Sequence, residues 1–259
     1  MTRLALGLIA GLASLPALGP AFAEDKPATS TADSAMTEAE RTAFRAEVRA
    51  YLLENPEVLI EAMTVLQQRE EDAGLARDSQ FITANHDLMF ANANDWVGGN
   101  PDGDITLVEF MDYRCGYCRK AYEEVDKLIK TDGKIRFVVK EFPILGEASM
   151  LSAQFAIALR QLHGDEAYAK AHDTLMTLRG EPTPETLARV ATDLGLDPKP
   201  IMDRMKAPEV QAVIQANYAL AEQLDITGTP AFIVKDMVMR GYAPLETMQD
   251  FIADARDDG

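Results

Sequence analysis

Cysteine occurs twice in the 259-residue chain, and both copies stand together, in Cys115-Gly116-Tyr117-Cys118. An apolar, strand-like run at 105–111 precedes them, and a helix-like run at 119–130 follows. The pair therefore falls at the start of a helix. Unpaired backbone N–H groups and the helix dipole favour negative charge there. A thiolate at that place is stabilised, so its pKa falls and its reactivity rises. Cys115 leads the helix and is expected to be the exposed, attacking sulfur. Cys118, one turn in, is expected to be buried and to act as the resolving thiol. Arg114, Arg119 and Lys120 place further positive charge nearby. A bridge between these two residues closes only a tiny loop, which constrains the unfolded chain little. Redox exchange explains the pair better than stability does. A zinc site would need two more ligands, and His86, His163 and His172 show no ligand spacing with the pair or with one another. No metal and no cofactor are expected.

The elements that must position the dithiol can be read around it. The strand at 105–111, the helix and a second apolar run at 135–139 form a βαβ unit, with the cysteines at the switch from strand to helix. A mostly helical stretch follows, about 147–224, with Gly180 and Gly195 ending helices and Pro184 starting one. Residues 231–234, the turn Lys235-Asp236 and residues 237–240 read as a β-hairpin. A helix at 245–255 closes the chain. Residues 96–104 (W-V-G-G-N-P-D-G-D) read as turn chemistry throughout. The expected fold class is α/β.

The N-terminus reads as an address. Arg3 gives a positive start, residues 4–15 are apolar, and Ala21-Phe22-Ala23 fits a cleavage site. A signal peptide at 1–23, removed after Ala23, places the mature protein in the periplasm. Residues 24–36 read as a flexible leader. The chain carries 42 acidic against 25 basic residues, a net charge of −17. Nucleic acid is a poor partner for such a surface.

Residues 37–92 read as a separate helical region. Phe44, Val48, Tyr51 and Leu52 recur at helical spacing. Asn55-Pro56 interrupts them and starts a second helix. Leu59, Met63 and Leu66 fit a coiled-coil seam, but Glu70 and Arg77 occupy its continuation, so no sustained heptad exists. Such short helices either dock on the main domain or pack on copies of themselves.

Residues 108–119, V-E-F-M-D-Y-R-C-G-Y-C-R, resemble the active-site segment of DsbA-like thioredoxin-fold proteins. T-G-T-P-A-F at 227–232 resembles the loop in which that family places a cis-proline opposite the dithiol, and E-F-P-I-L-G at 141–146 has the family's look. The resemblance covers about 93–259. Y-L-L-E-N-P-E-V at 51–58 is similar to the helical leader domain of the ScsC-type subgroup, which includes trimeric disulfide isomerases.

The resemblance implies a thioredoxin fold with a helical insertion at about 147–224, preceded by a helical oligomerisation region. It implies that Gly116 and Tyr117 tune the dithiol, and that Thr229 and a cis Pro230 contact an extended substrate. Glu109 matches an acidic residue that assists proton transfer to the second cysteine. The Gly-Tyr dipeptide resembles that of DsbC-type isomerases and departs from the Pro-His of DsbA, which implies a less oxidising site. The implied function is disulfide isomerisation on misbridged exported proteins by a homo-oligomer, a trimer through residues 37–90, served by a membrane redox partner protein. A DsbA-like oxidase, a chaperone-like binder and a copper(I)-binding protein are the rival readings.

Overall fold

The structure, a computed structural model, describes residues 36–257. The expected signal peptide and all but the last residue of the expected leader lie outside the described residues. The chain divides into two compact units at Ala62–Met63.

In the first unit, α1 (Glu38–Glu54) starts from a capping box. The Thr37 side chain accepts from the Glu40 N–H, and the Glu40 carboxylate accepts from the Thr37 N–H at 2.7 Å. Two donors that the helix cannot satisfy itself are thereby paired. Asn55 caps the end of α1, and α2 (Glu57–Ala84) begins after Pro56. No residue of α1 is buried.

The second unit is built on five strands in the order β1-β3-β2-β4-β5. Its centre is β2 (Ile105–Met111), parallel to β3 (Ile135–Glu141) and antiparallel to β4 (Ala231–Val234). β5 (Met237–Arg240) closes the hairpin on β4, and β1 (Trp96–Gly99) runs antiparallel to β3. Both sheet faces are covered, so the inner strands are apolar almost without break. Leu107, Met111, Phe137 and Val139 face one core, with α4 (Gly116–Asp132) and α5 (Glu147–Thr177). Val108, Phe110, Val138 and Ile233 face the other. α5 is interrupted at Gly164, whose φ of 81° is non-helical. α6 (Pro184–Asp193), α7 (Pro198–Arg204) and α8 (Pro208–Gln223) complete the helical insertion, and α9 (Leu245–Asp257) packs back beside α4.

Two features differ from the sequence reading. Residues 96–99, read as turn, form an edge strand. The Trp96 ring lies over Gly98, in the space a Cβ would take, so the glycine that weakens the strand pattern is what lets the indole fold inward. The boundary expected at 92 also moves. Ile82 of α2, together with Met89 and Phe90 of α3 (His86–Phe90), is buried in the second core. Burying such a side chain contributes about 1.5–3 kcal/mol, which commits these residues to the sheet unit.

Candidate active site

Cys115 occupies the N-cap of α4, with extended φ/ψ of −71° and 119° and no side-chain capping bond of its own. Behind it Cys118, Ala121, Val125 and Leu128 form the buried stripe that seats α4 on the sheet. Gly133, in the left-handed region, ends the helix. The helix is thus fixed by its far end and its inner face, and its first turn is left free to serve the sulfur.

Both cysteines are free thiols. Cys118 has no exposed surface and Cys115 keeps 7 %. The attacking sulfur expected at the surface is therefore recessed. Across from it the Thr229–Pro230 peptide bond is cis. The Cys115 thiol donates to the Thr229 carbonyl at 3.2 Å. The Thr229 Oγ1 is buried and has no hydrogen-bond partner while Cys115 is a thiol. Cys115 titrates at about 5, far below an ordinary thiol. The largest cause is the hydrogen bond from the Cys118 thiol. Burial opposes it, and the Thr229 side chain and the N–H groups of Cys118 and Tyr117 add to it. Burial, then the hydrogen bond to Cys115 and then the charge of Glu109 push Cys118 the other way, far above an ordinary thiol. One sulfur is held as thiolate and its neighbour as thiol.

The three cations expected to favour the thiolate are engaged elsewhere. Arg114 reaches the Gly180 carbonyl at 2.9 Å and the Glu181 carboxylate at 3.3 Å. Arg119 donates to the carbonyls of Tyr113, Leu178 and Leu175. The Lys120 ammonium sits 4.1 Å from the centre of the Tyr242 ring. Arg119 thereby ties α4 to the end of α5. Tyr117 is 63 % exposed and lies beside Tyr242, with ring centres 6.3 Å apart. Gly116 has open space where a Cβ would project.

Glu109 lies on β2, paired across the ladder with Val139 and Phe232. It is buried, and its Oε1 has no hydrogen-bond partner. Burial first, then the Cys115 thiolate, push its carboxyl up to about 8. Cys115, Cys118 and Glu109 thus form one coupled electrostatic group.

A second polar group under the same sheet face escaped the sequence reading. Glu141 Oε1 accepts from the hydroxyls of Tyr168 at 2.6 Å and Tyr113 at 2.8 Å. Tyr113 Oη lies 3.1 Å from His172 Nδ1. Burial pushes Glu141 up to about 8 and His172 down to about 4. Asp112, between strand and dithiol, accepts from the N–H groups of Ile144 and Leu145 at 2.8 and 3.1 Å.

The unit that carries the dithiol and the cis X-Pro bond matches the thioredoxin family model over residues 91–254. The chain belongs to the thioredoxin family. Residues 40–73 match a second model, described as the N-terminal domain of the copper resistance protein ScsC. A thioredoxin-like oxidoreductase from Silicibacter pomeroyi is 42 % identical, covering 67 % of this chain and 98 % of that one, with a TM-score of 0.63. A linker-deletion mutant of Proteus mirabilis ScsC shares the fold over 88 % of this chain and all of its own, at 22 % identity and a TM-score of 0.66. The Na(+)/H(+) antiporter NhaA 1 of Salinispora arenicola is 29 % identical over 168 residues, 62 % of this chain and 24 % of that protein. The chain thus spans about a quarter of the length of such curated relatives.

Proposed function

We propose that this thioredoxin-family protein is a periplasmic thiol–disulfide oxidoreductase that acts on exported polypeptides, and within that class a disulfide isomerase. The observation that carries the reading is the opposed titration of the two sulfurs beside the Thr229–Pro230 edge. The Cys115 thiolate attacks one sulfur of a substrate disulfide. A Cys115–substrate bond forms, and the other substrate sulfur leaves as thiolate. The charge on Cys115 is then gone, and with it one cause of the high Glu109 pKa. Glu109 ionises more readily and accepts the Cys118 proton. Either the Cys118 thiolate or a second substrate thiolate attacks the mixed disulfide and releases the client. The Thr229 backbone edge gives an extended client segment a place to pair.

Isomerisation gains from several sites held together. The first unit supports assembly: Phe44, Tyr51 and Leu59 there are each more than half exposed. Exposed apolar faces of this kind mark contact surfaces, and a homotrimer through α1 and the start of α2 is the assembly proposed. Export through a signal peptide removed after Ala23, and a membrane partner that keeps the dithiol reduced, complete the reading.

Refolding of scrambled ribonuclease tests it. The wild type should restore activity, and Cys115→Ser should not. Equal recovery with both proteins would reduce the role to binding. Oxidation of reduced ribonuclease without reshuffling would make the protein an oxidase.

A further inference from the structure

Beneath α4, away from the Thr229 edge, lies a cavity of about 580 Å³. That is within the range of small-molecule sites, roughly 300–1,000 Å³. The apolar part of its wall is Trp96, Tyr122, Val125, Ile129 and Phe137, and Asn100, Asp126, Lys130 and Asp173 make up most of the polar part. Glu109 and His172 also line it.

The charged side chains on its lining are already engaged. Lys130 donates to Asp126 at 2.7 Å, and Tyr122 donates to Asp173 at 2.6 Å. What remains unpaired is Glu109 Oε1, on a side chain that keeps 2 % of its surface. Leaving such an atom unpaired costs on the order of 1–3 kcal/mol. At neutral pH the carboxyl is largely un-ionised, so it offers one donor and one acceptor. His172 adds an acceptor. Tyr113 gives its only hydroxyl hydrogen to Glu141, so the contact at 3.1 Å is a donation from His172 Nδ1–H to Tyr113 Oη. The Nε2 lone pair of His172 is then the free one.

We infer that this cavity is a binding site for a neutral, single-ring phenol, whose ring stacks among Trp96, Tyr122 and Phe137 and whose hydroxyl pairs with Glu109. A phenol hydroxyl donates once and accepts once, which matches an un-ionised carboxyl. A charged ligand finds no unpaired counter-charge on the walls. A bound phenol holds the Glu109 proton in place and slows the release of Cys118. That consequence rests on the exchange function proposed above; the binding itself does not.

Trp96 is the only tryptophan of the chain and lies in the wall, so its fluorescence reports occupancy. The reduced full-length protein is titrated with p-cresol and with toluene, which has the same ring and no hydroxyl. Saturable quenching by p-cresol at least tenfold tighter than by toluene is expected. Glu109→Leu should remove that tenfold difference while toluene still binds. Val125→Phe should fill the cavity without adding a second indole and abolish p-cresol binding, with an unchanged far-ultraviolet circular dichroism spectrum as the check on folding. No saturable quenching by p-cresol, equal affinity for the two probes, or undiminished binding in Val125→Phe would each overturn the site. A protein that binds p-cresol as expected but exchanges no disulfides would keep the site and remove only the function above.

Discussion

The Cys115 thiol and the Thr229 carbonyl oxygen lie 3.2 Å apart, although 114 residues separate them in the chain. The contact joins the first turn of α4 to the loop before β4. In the thiol form the sulfur donates to the carbonyl. In the thiolate form the otherwise unpartnered Thr229 hydroxyl becomes a donor to sulfur. Thr229→Val keeps the carbonyl and removes that donor. The rate of alkylation by iodoacetamide, followed against pH, should show a midpoint near 5 in the wild type and a clearly higher one in Thr229→Val. An unchanged midpoint would remove Thr229 from the site.

The same depression sets a pH dependence of stability. A thiol whose folded pKa is about 5 and whose ordinary value is 9.0 stabilises the fold of the reduced protein above pH 9. That contribution is lost as pH falls from 9 to 5. Urea unfolding of the reduced wild type and of Cys115→Ser should therefore diverge in favour of the wild type between pH 5 and 9. Parallel curves would mean that Cys115 ionises as in an unfolded chain.

Glu109 has the opposite sign. Its carboxyl rises from 4.5 to about 8 on folding, so its contribution is complete below pH 4.5 and is lost as pH climbs to 8. Relative to Glu109→Gln, the wild type should lose stability across that window. Glu109→Gln should also slow resolution of a Cys115 mixed disulfide, on the order of 100-fold if the carboxylate is the base. Rapid quench followed by mass measurement would read this. Wild-type resolution in the variant would leave Glu109 without a role in proton transfer.

Arg119 donates to three carbonyl oxygens at 2.8, 2.9 and 3.3 Å. Two of them end α5, where carbonyls lack helical partners. Hydrogen bonds to a charged group contribute more than neutral ones. Arg119→Leu should cost about 2 kcal/mol or more in chemical unfolding, and Arg119→Lys should recover only part, because an ammonium cannot span the fork. Full stability in Arg119→Lys would show that charge alone suffices.

Assembly is read from mass. The chain from residue 24 should sediment as a trimer, and a chain from residue 63 as a monomer. A cut at 90 would not test this cleanly, because it removes Ile82, Met89 and Phe90 from the core of the sheet unit. A monomer in both cases would turn the reading toward an oxidase.

Local signals made much of this fold legible. The hairpin at Lys235-Asp236, the helix that Cys115 caps and the helix starts at Pro184 and Pro198 depend on neighbours within a few residues. β1 was hidden because Trp96-Val97-Gly98-Gly99 has no alternation, and its pairing with β3 is made across the chain. The partners of the nearby cations were hidden for a related reason: residue type gives the charge of Arg114, Arg119 and Lys120, but the groups they bind come from the insertion and from the loop after β5. The Glu141–Tyr113–Tyr168–His172 group joins β3 to α5 and to the turn before α4, and no spacing in the sequence announces it.

Lys120 resting on the Tyr242 ring gives the rim of the dithiol a character of its own. A cation held over an aromatic face is attracted at short range by the ring, and Lys120 keeps its exposure there. Mobile ions weaken long-range steering between exposed charges but leave contact with ring faces largely intact. A contact made on the Tyr117–Tyr242 rings should therefore respond less to salt than one made by exposed charges alone.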